Sequence, residues 1–175
     1  MKIAVISYSF TGNNEALAKS IAAEFAAEHI RITESRQRTT GTIILDILFN
    51  RTPQVSPTID KVTDKDLIIF VGPVWMGQPA TPFRTYFKHL KAWPGRYAFI
   101  SISGGAIGTN PKLAGDLKKR AGREPAALID LHIADLLPHD PKPAMKDTSA
   151  YRINENDLKK LTGTIVKTMR EKIPQ

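Results

Sequence analysis

The sequence predicts an α/β protein in three layers, with helices on both faces of a parallel sheet, and three observations carry that prediction. Short apolar runs alternate with segments of helical period along the whole chain. One run, Leu67 to Val71, is continuous, with Asp64 and Asp66 before it and Gly72-Pro73 behind, the pattern of a strand buried on both faces. Loops carrying glycine and hydroxyl groups follow three of the runs, after Ile6, Val71 and Ile102. In parallel sheets ligands sit beyond the C-terminal strand ends, so these loops are expected to converge on one site.

The elements follow in order. Ile3 to Ile6 is a first strand that runs into Ser7-Tyr8-Ser9-Phe10-Thr11-Gly12-Asn13-Asn14. Ala16, Leu17, Ile21, Ala22 and Phe25 then fall on one helical face, and the helix is expected to reach about Glu28. His29 to Thr33 reads as a short strand. Ile43, Ile44, Ile47 and Leu48 repeat at the spacing of one helical face and predict a short helix over Thr42 to Asn50. After a proline-marked loop and the central strand, Thr81 is placed as a helix cap and Pro82 as the first helical residue, with Phe83, Phe87 and Leu90 inward. Tyr97 to Ser101 is the next strand. A basic helix begins after Asn110-Pro111 and stops at Gly122, and Ala127 to Ile133 is the last strand. Leu136 to Arg152 carries Pro138, Pro141 and Pro143 and reads as a long loop, either a lid or a surface excursion. Asn154 and Asp157 then cap a final helix bearing Leu158, Leu161, Ile165, Val166, Met169 and Ile173.

Composition narrows the chemistry. The 175 residues, 42% apolar, suit one compact domain over residues 1–175 rather than two. There is no cysteine, which removes disulfides, thiol nucleophiles and thiolate metal sites and fits a reducing compartment. His29, His89, His132 and His139 stand at no metal-ligand spacing, so no metal site is expected. The N-terminus lacks the apolar length of a signal peptide, and the longest apolar patch, Ile43 to Phe49, is interrupted by Asp46. The chain therefore reads as soluble and cytoplasmic, with no membrane partner. A net charge of +8 invites a nucleic-acid reading, but the basic residues are dispersed, with only Lys118-Lys119-Arg120 as a tight cluster, so nucleic acid is not expected as the partner.

The first loop is an anion seat by its chemistry. A helix N-terminus presents up to four unpaired N–H groups and about half a positive charge, and Ser9, Thr11, Gly12, Asn13 and Asn14 surround it without a lysine or arginine. The same turn would also serve as an ordinary capped connection. In the second loop Trp75 offers an aromatic plate, or simply a packed aromatic; in the third, Ser103-Gly104-Gly105-Ala106 lets a ring edge approach the backbone, or is merely a turn.

Ser9-Phe10-Thr11-Gly12-Asn13-Asn14, directly after a first strand at the N-terminus, resembles the phosphate loop of the flavodoxin family, in which a Ser or Thr, any residue, and then Thr-Gly-Asn-Thr follow one another. Gly72-Pro73-Val74-Trp75-Met76-Gly77-Gln78-Pro79-Ala80-Thr81-Pro82 is similar to that family's flavin-flanking loop. The resemblance implies a five-stranded flavodoxin-like sheet in the order 2-1-3-4-5 and bound FMN. It also implies cofactor contacts from Ser9, Phe10, Thr11, Gly12, Asn13, Asn14, Pro73, Val74, Trp75, Met76, Gly77, Ser103, Gly104, Gly105 and Ala106. Two departures matter. Asn14 replaces the usual last threonine while keeping a side-chain donor for phosphate, and the third loop has no aromatic residue where electron-transfer flavodoxins stack a tyrosine. An open flavin face admits a hydride donor or a quinone. The expected function is thus a redox protein, acting in electron transfer or in NAD(P)H-linked reduction of quinone-like acceptors, with a redox partner protein or NAD(P)H and a small acceptor as partners and no catalytic side chain required. The Met76–Gly77 peptide is expected to turn over with the cofactor's charge, since glycine tolerates positive φ.

The competing reading is a non-redox module on the same sheet, for signalling or nucleotide binding. Receiver domains need clustered acidic residues where this chain has Ser7-Tyr8-Ser9, and neither G-x-x-x-x-G-K-[ST] nor G-x-G-x-x-G follows the first strand.

Overall fold

The computed structural model describes residues 1–36, 38–104, 110–140 and 142–174. Five parallel strands form the central sheet: β1 (Ile3–Ser7), β2 (Glu28–Arg31), β3 (Leu67–Val71), β6 (Arg96–Ser103) and β7 (Ala127–His132), in spatial order β2-β1-β3-β6-β7. Numbered among themselves these strands run 2-1-3-4-5, the expected flavodoxin-like order. A two-stranded hairpin, β4 (Val74–Trp75) with β5 (Gln78–Pro79), stands apart on the loop after β3.

Both faces of the sheet are covered, which is why the central strands read as unbroken apolar runs rather than alternating ones. On one side α1 (Asn13–Glu24) and α6 (Glu155–Lys172) bring Leu17, Ile21, Ile165 and Met169 against Val5, Ile69 and Ile100. On the other, α3 (Arg84–Leu90) and α4 (Leu113–Ala121) pack Tyr86, Phe87, Leu113 and Leu117 with Phe83 against Ile68, Phe70 and Phe99. Four aromatic rings, Phe70, Phe83, Phe87 and Phe99, meet with centroids 5.0 to 6.4 Å apart.

Several boundaries and one orientation depart from expectation. The first helix stops at Glu24, short of Glu28, because Ala26 adopts φ 47° and β2 takes the chain from Glu28. Thr81–Phe83 is a turn of 3₁₀ helix capped by Ala80, with the Thr81 hydroxyl directed to Asp46 Oδ2 at 3.3 Å instead of to a backbone N–H. The segment from Leu136 to Arg152 holds a short helix, α5 (Met145–Ala150). The capping box of Asn154 and Asp157 is present.

The largest departure is α2 (Thr40–Leu48), which is helical but buries none of its residues. Ile43 and Ile47 are only half-buried, and Ile44 and Leu48, which share their apolar face, are exposed. The cause is polar. Asp46 points inward, where Arg38 Nη1 donates to its Oδ2 at 2.6 Å, while the Arg84 guanidinium donates to the Asp46 carbonyl at 2.9 Å. Arg38 is itself fully used, since it also donates to Glu34 and lies over the Trp75 ring at 5.8 Å.

Candidate functional site

At the C-terminal ends of β1, β3 and β6 lies a cavity of about 340 Å³. The first loop contributes Phe10, Thr11, Asn13 and Asn14, the second Pro73, Val74 and Trp75, and the third Ser103 and Gly104 with Ile102 beneath them. The three loops do converge. Ser9, Gly12, Met76 and Gly77 stand beside the cavity without lining it, and Gly105 and Ala106 lie outside the described residues.

The floor is the uncapped start of α1. Its N-cap, Gly12, has φ 96° and no side chain to offer, and Ser9 Oγ accepts the Gly12 N–H at 2.9 Å. Among the described residues the N–H groups of Thr11, Asn13, Asn14 and Glu15 have no hydrogen-bond partner. By contrast α2 and α6 are capped by Thr39 and Asn154. Of these residues Asn13 and Asn14 are buried, and an anion at this helix start meets both the orphan donors and the helix dipole.

The two amides play a different part from the one expected. Asn14 Nδ2 donates to the Ile102 carbonyl and its Oδ1 accepts the Ile102 N–H, both at 3.0 Å, so its side chain is taken up by β6. Asn13 does the same toward the chain before α6, donating to Tyr151 O at 3.0 Å and accepting from Ile153 N at 3.2 Å. Both are buried, and buried amides need partners. What these positions present to the cavity is backbone N–H.

Trp75 forms the opposite wall. It is held edge-on by Tyr8, centroids 5.7 Å apart, and by Phe10, 6.5 Å apart. Phe10 also lines a neighbouring cavity with Arg31, Glu34 and Arg36, so it separates the two. The Tyr8 hydroxyl donates to Glu34 at 3.1 Å, and burial together with that carboxylate pushes its pKa well above the ordinary tyrosine value. Met76 and Gly77 both have positive φ, 51° and 78°, as the two-residue turn between β4 and β5 requires.

Two residues that the sequence did not single out, Thr148 and Ser149 of α5, close the cavity. Thr148 Oγ1 donates to the Gly104 carbonyl, and a Cβ on Gly104 would stand 2.9 Å from the Thr148 carbonyl oxygen, so only glycine allows this approach. Beyond the undescribed part of the third loop, Asn110 is tied to β7, its N and Nδ2 donating to Asp130 Oδ2 at 3.2 and 2.8 Å. Ser103 lines the cavity, and its Oγ is buried with no hydrogen-bond partner among the described residues.

Those features define a flavodoxin-like protein in fold, with a cavity where that fold places its ligand. The chain is similar to a flavoprotein from Lactobacillus acidophilus solved in complex with FMN, with 26% identity and a TM-score of 0.63 over 74% of this chain and 92% of that one. It is also similar in fold to a flavoprotein from Bacteroides eggerthii, at 15% identity and TM-score 0.64 over 94% and 98% of the two chains. An archaeal flavodoxin gives 14% identity and TM-score 0.54 over 98% and 99%. No protein-family model matches the chain, and no curated protein matches it in sequence.

Proposed function

We propose that this chain binds FMN and uses it as an NAD(P)H-linked reductase of quinone-like acceptors, or passes electrons to a protein partner by the same group. The observation that carries the reading is the open start of α1, where the N–H groups of Thr11, Asn13 and Asn14, unpartnered among the described residues, stand at a cavity walled by Trp75. The cavity residues fit the group: backbone donors for a phosphate and an aromatic face for a ring system. When bound, FMN would supply hydride acceptance and single-electron transfer. The chain's own residues bind and orient it. Thr11 to Glu15 hold the anionic end, Trp75 sets the plane of approach, and Gly104 keeps the backbone close to the wall formed by α5. The third loop carries no aromatic residue, and this favours a reductase with an accessible face over a pure carrier.

The test is a titration with FMN followed by quenching of flavin fluorescence, then anaerobic mixing of the loaded protein with NADH or NADPH. Saturable binding at one FMN per chain with rapid bleaching of the flavin band is the expected result. Binding without bleaching by either nucleotide would leave a carrier, and no binding would overturn the reading.

A further inference from the structure

The α2 helix is turned inside out relative to a helix on a water-facing surface. Its single charged residue, Asp46, faces the protein, while Ile44, Leu45, Leu48 and Phe49 are 43, 42, 68 and 64% exposed. On that outward face the helix offers hydrocarbon with Thr40 and Gly41, and no charged group. The chain then passes directly into basic surface. The Arg51 guanidinium lies over the Phe49 ring at 5.3 Å, and Asn50 and Thr52 open a cleft lined otherwise by Arg84, Lys88, Lys91, Lys119 and Arg120, with no carboxylate among its lining residues. Arg120 is paired with Asp116, whereas Lys88, Lys91 and Lys119 are in no ion pair among the described residues.

We propose that α2 is a membrane-surface contact: its outward face enters the headgroup region of a bilayer carrying anionic lipids, and the adjoining basic cleft holds lipid phosphates. The pairing of an apolar helix face with lysine and arginine beside it is the combination that binds such surfaces. A second copy of the chain fits less well. Four side chains at these exposures leave on the order of 400 Å² bare, about half of what each partner gives to a stable interface, and self-association would bring two basic clefts toward each other. An acidic protein would meet the charge, but protein interfaces carry about one hydrogen bond per 100–200 Å², and the outward side chains of Ile44, Leu45, Leu48 and Phe49 can make none. The absence of a spanning segment does not bear on this contact, because the helix lies on the bilayer and does not cross it. The proposal is independent of the cofactor.

The experiment is co-sedimentation of the full chain with phosphatidylcholine vesicles, with and without roughly one third phosphatidylserine. Because the chain has no cysteine, Leu48→Cys labelled with an environment-sensitive dye reports entry of α2 into hydrocarbon. The expected results are binding to the anionic vesicles only, a blue shift of the dye on binding, and at least a tenfold loss of binding for Leu48→Ser with Phe49→Ser and for Lys88→Glu with Lys119→Glu. These are exposed positions, and unchanged unfolding curves would show the variants folded. No binding to anionic vesicles overturns the proposal. So does binding that survives the Leu48 and Phe49 changes, or a dimer in solution that those changes dissolve.

Discussion

At the scale of single residues, Gly104 and His29 carry the sharpest expectations. A methyl group at Gly104 must displace the Thr148 carbonyl, a backbone atom, and with it the α5 wall of the cavity. Gly104→Ala is expected to lower stability by about 1–3 kcal/mol and to weaken FMN binding, read by urea unfolding and by fluorescence titration. A variant as stable and as tight-binding as the parent would show that α5 does not wall the site. His29 on β2 shares a hydrogen bond with Ser7 Oγ at 2.9 Å. Burial, helped by Lys19 and Arg31 and opposed by Glu15, holds its pKa below the ordinary value of about 6.5. The unfolded chain therefore takes up this proton before the folded one does. His29 favours folding fully above that ordinary value, and the contribution is lost as the pH falls through it toward the depressed folded value. His29→Gln should show a smaller fall of the urea midpoint between about pH 7 and pH 5 than the parent, and parallel slopes would count against this account.

At the scale of elements, α2 shows what the sequence could and could not reveal. Its existence was legible, because Ile43, Ile44, Ile47 and Leu48 recur at helical spacing. Its orientation was not, since five of its residues are apolar and the direction is set by Asp46, whose partners Arg38 and Thr81 lie eight and 35 residues away. Asp46→Ala removes both contacts and leaves the buried Arg38 with Glu34 alone; the Arg38 and Asp46 side chains are only 5 and 13% exposed. The expected cost is about 3 kcal/mol in urea unfolding, with faster amide exchange across Thr40 to Leu48. If stability is retained, the helix is held by Ile43 and Ile47 instead. The short helix α5 escaped notice for a simpler reason. Met145 to Ala150 has no apolar period, and its place in the cavity depends on Thr148 reaching Gly104, 44 residues earlier.

At the scale of the whole molecule, the sheet was readable because every central strand is buried on both faces. Ile3 to Ile6, Leu67 to Val71 and Tyr97 to Ser101 each announce themselves as apolar runs, and their loops then fall at one end by topology alone. The cavity was readable to the same extent, as a meeting of three loops. What each polar residue does there was not, as Asn14 illustrates: composition marks it as a donor, while the choice between ligand and Ile102 is made by the packing of α1 on β6. Charge was legible as a total and as the single cluster Lys118-Lys119-Arg120. The net +8 gives no hint that the lysines of α3 and α4 gather beside an apolar helix.

The paired amides of Asn13 and Asn14 join the first turn of α1 to segments 88 and 138 residues away in the chain. The placement of the first loop is thereby part of folding itself, and less of that loop's chain entropy is left for a ligand to cost. The same connections make ligand affinity a gauge of how well the C-terminal segment is seated. A disturbance before α6, at Tyr151 or Ile153, reaches the start of α1 through Asn13.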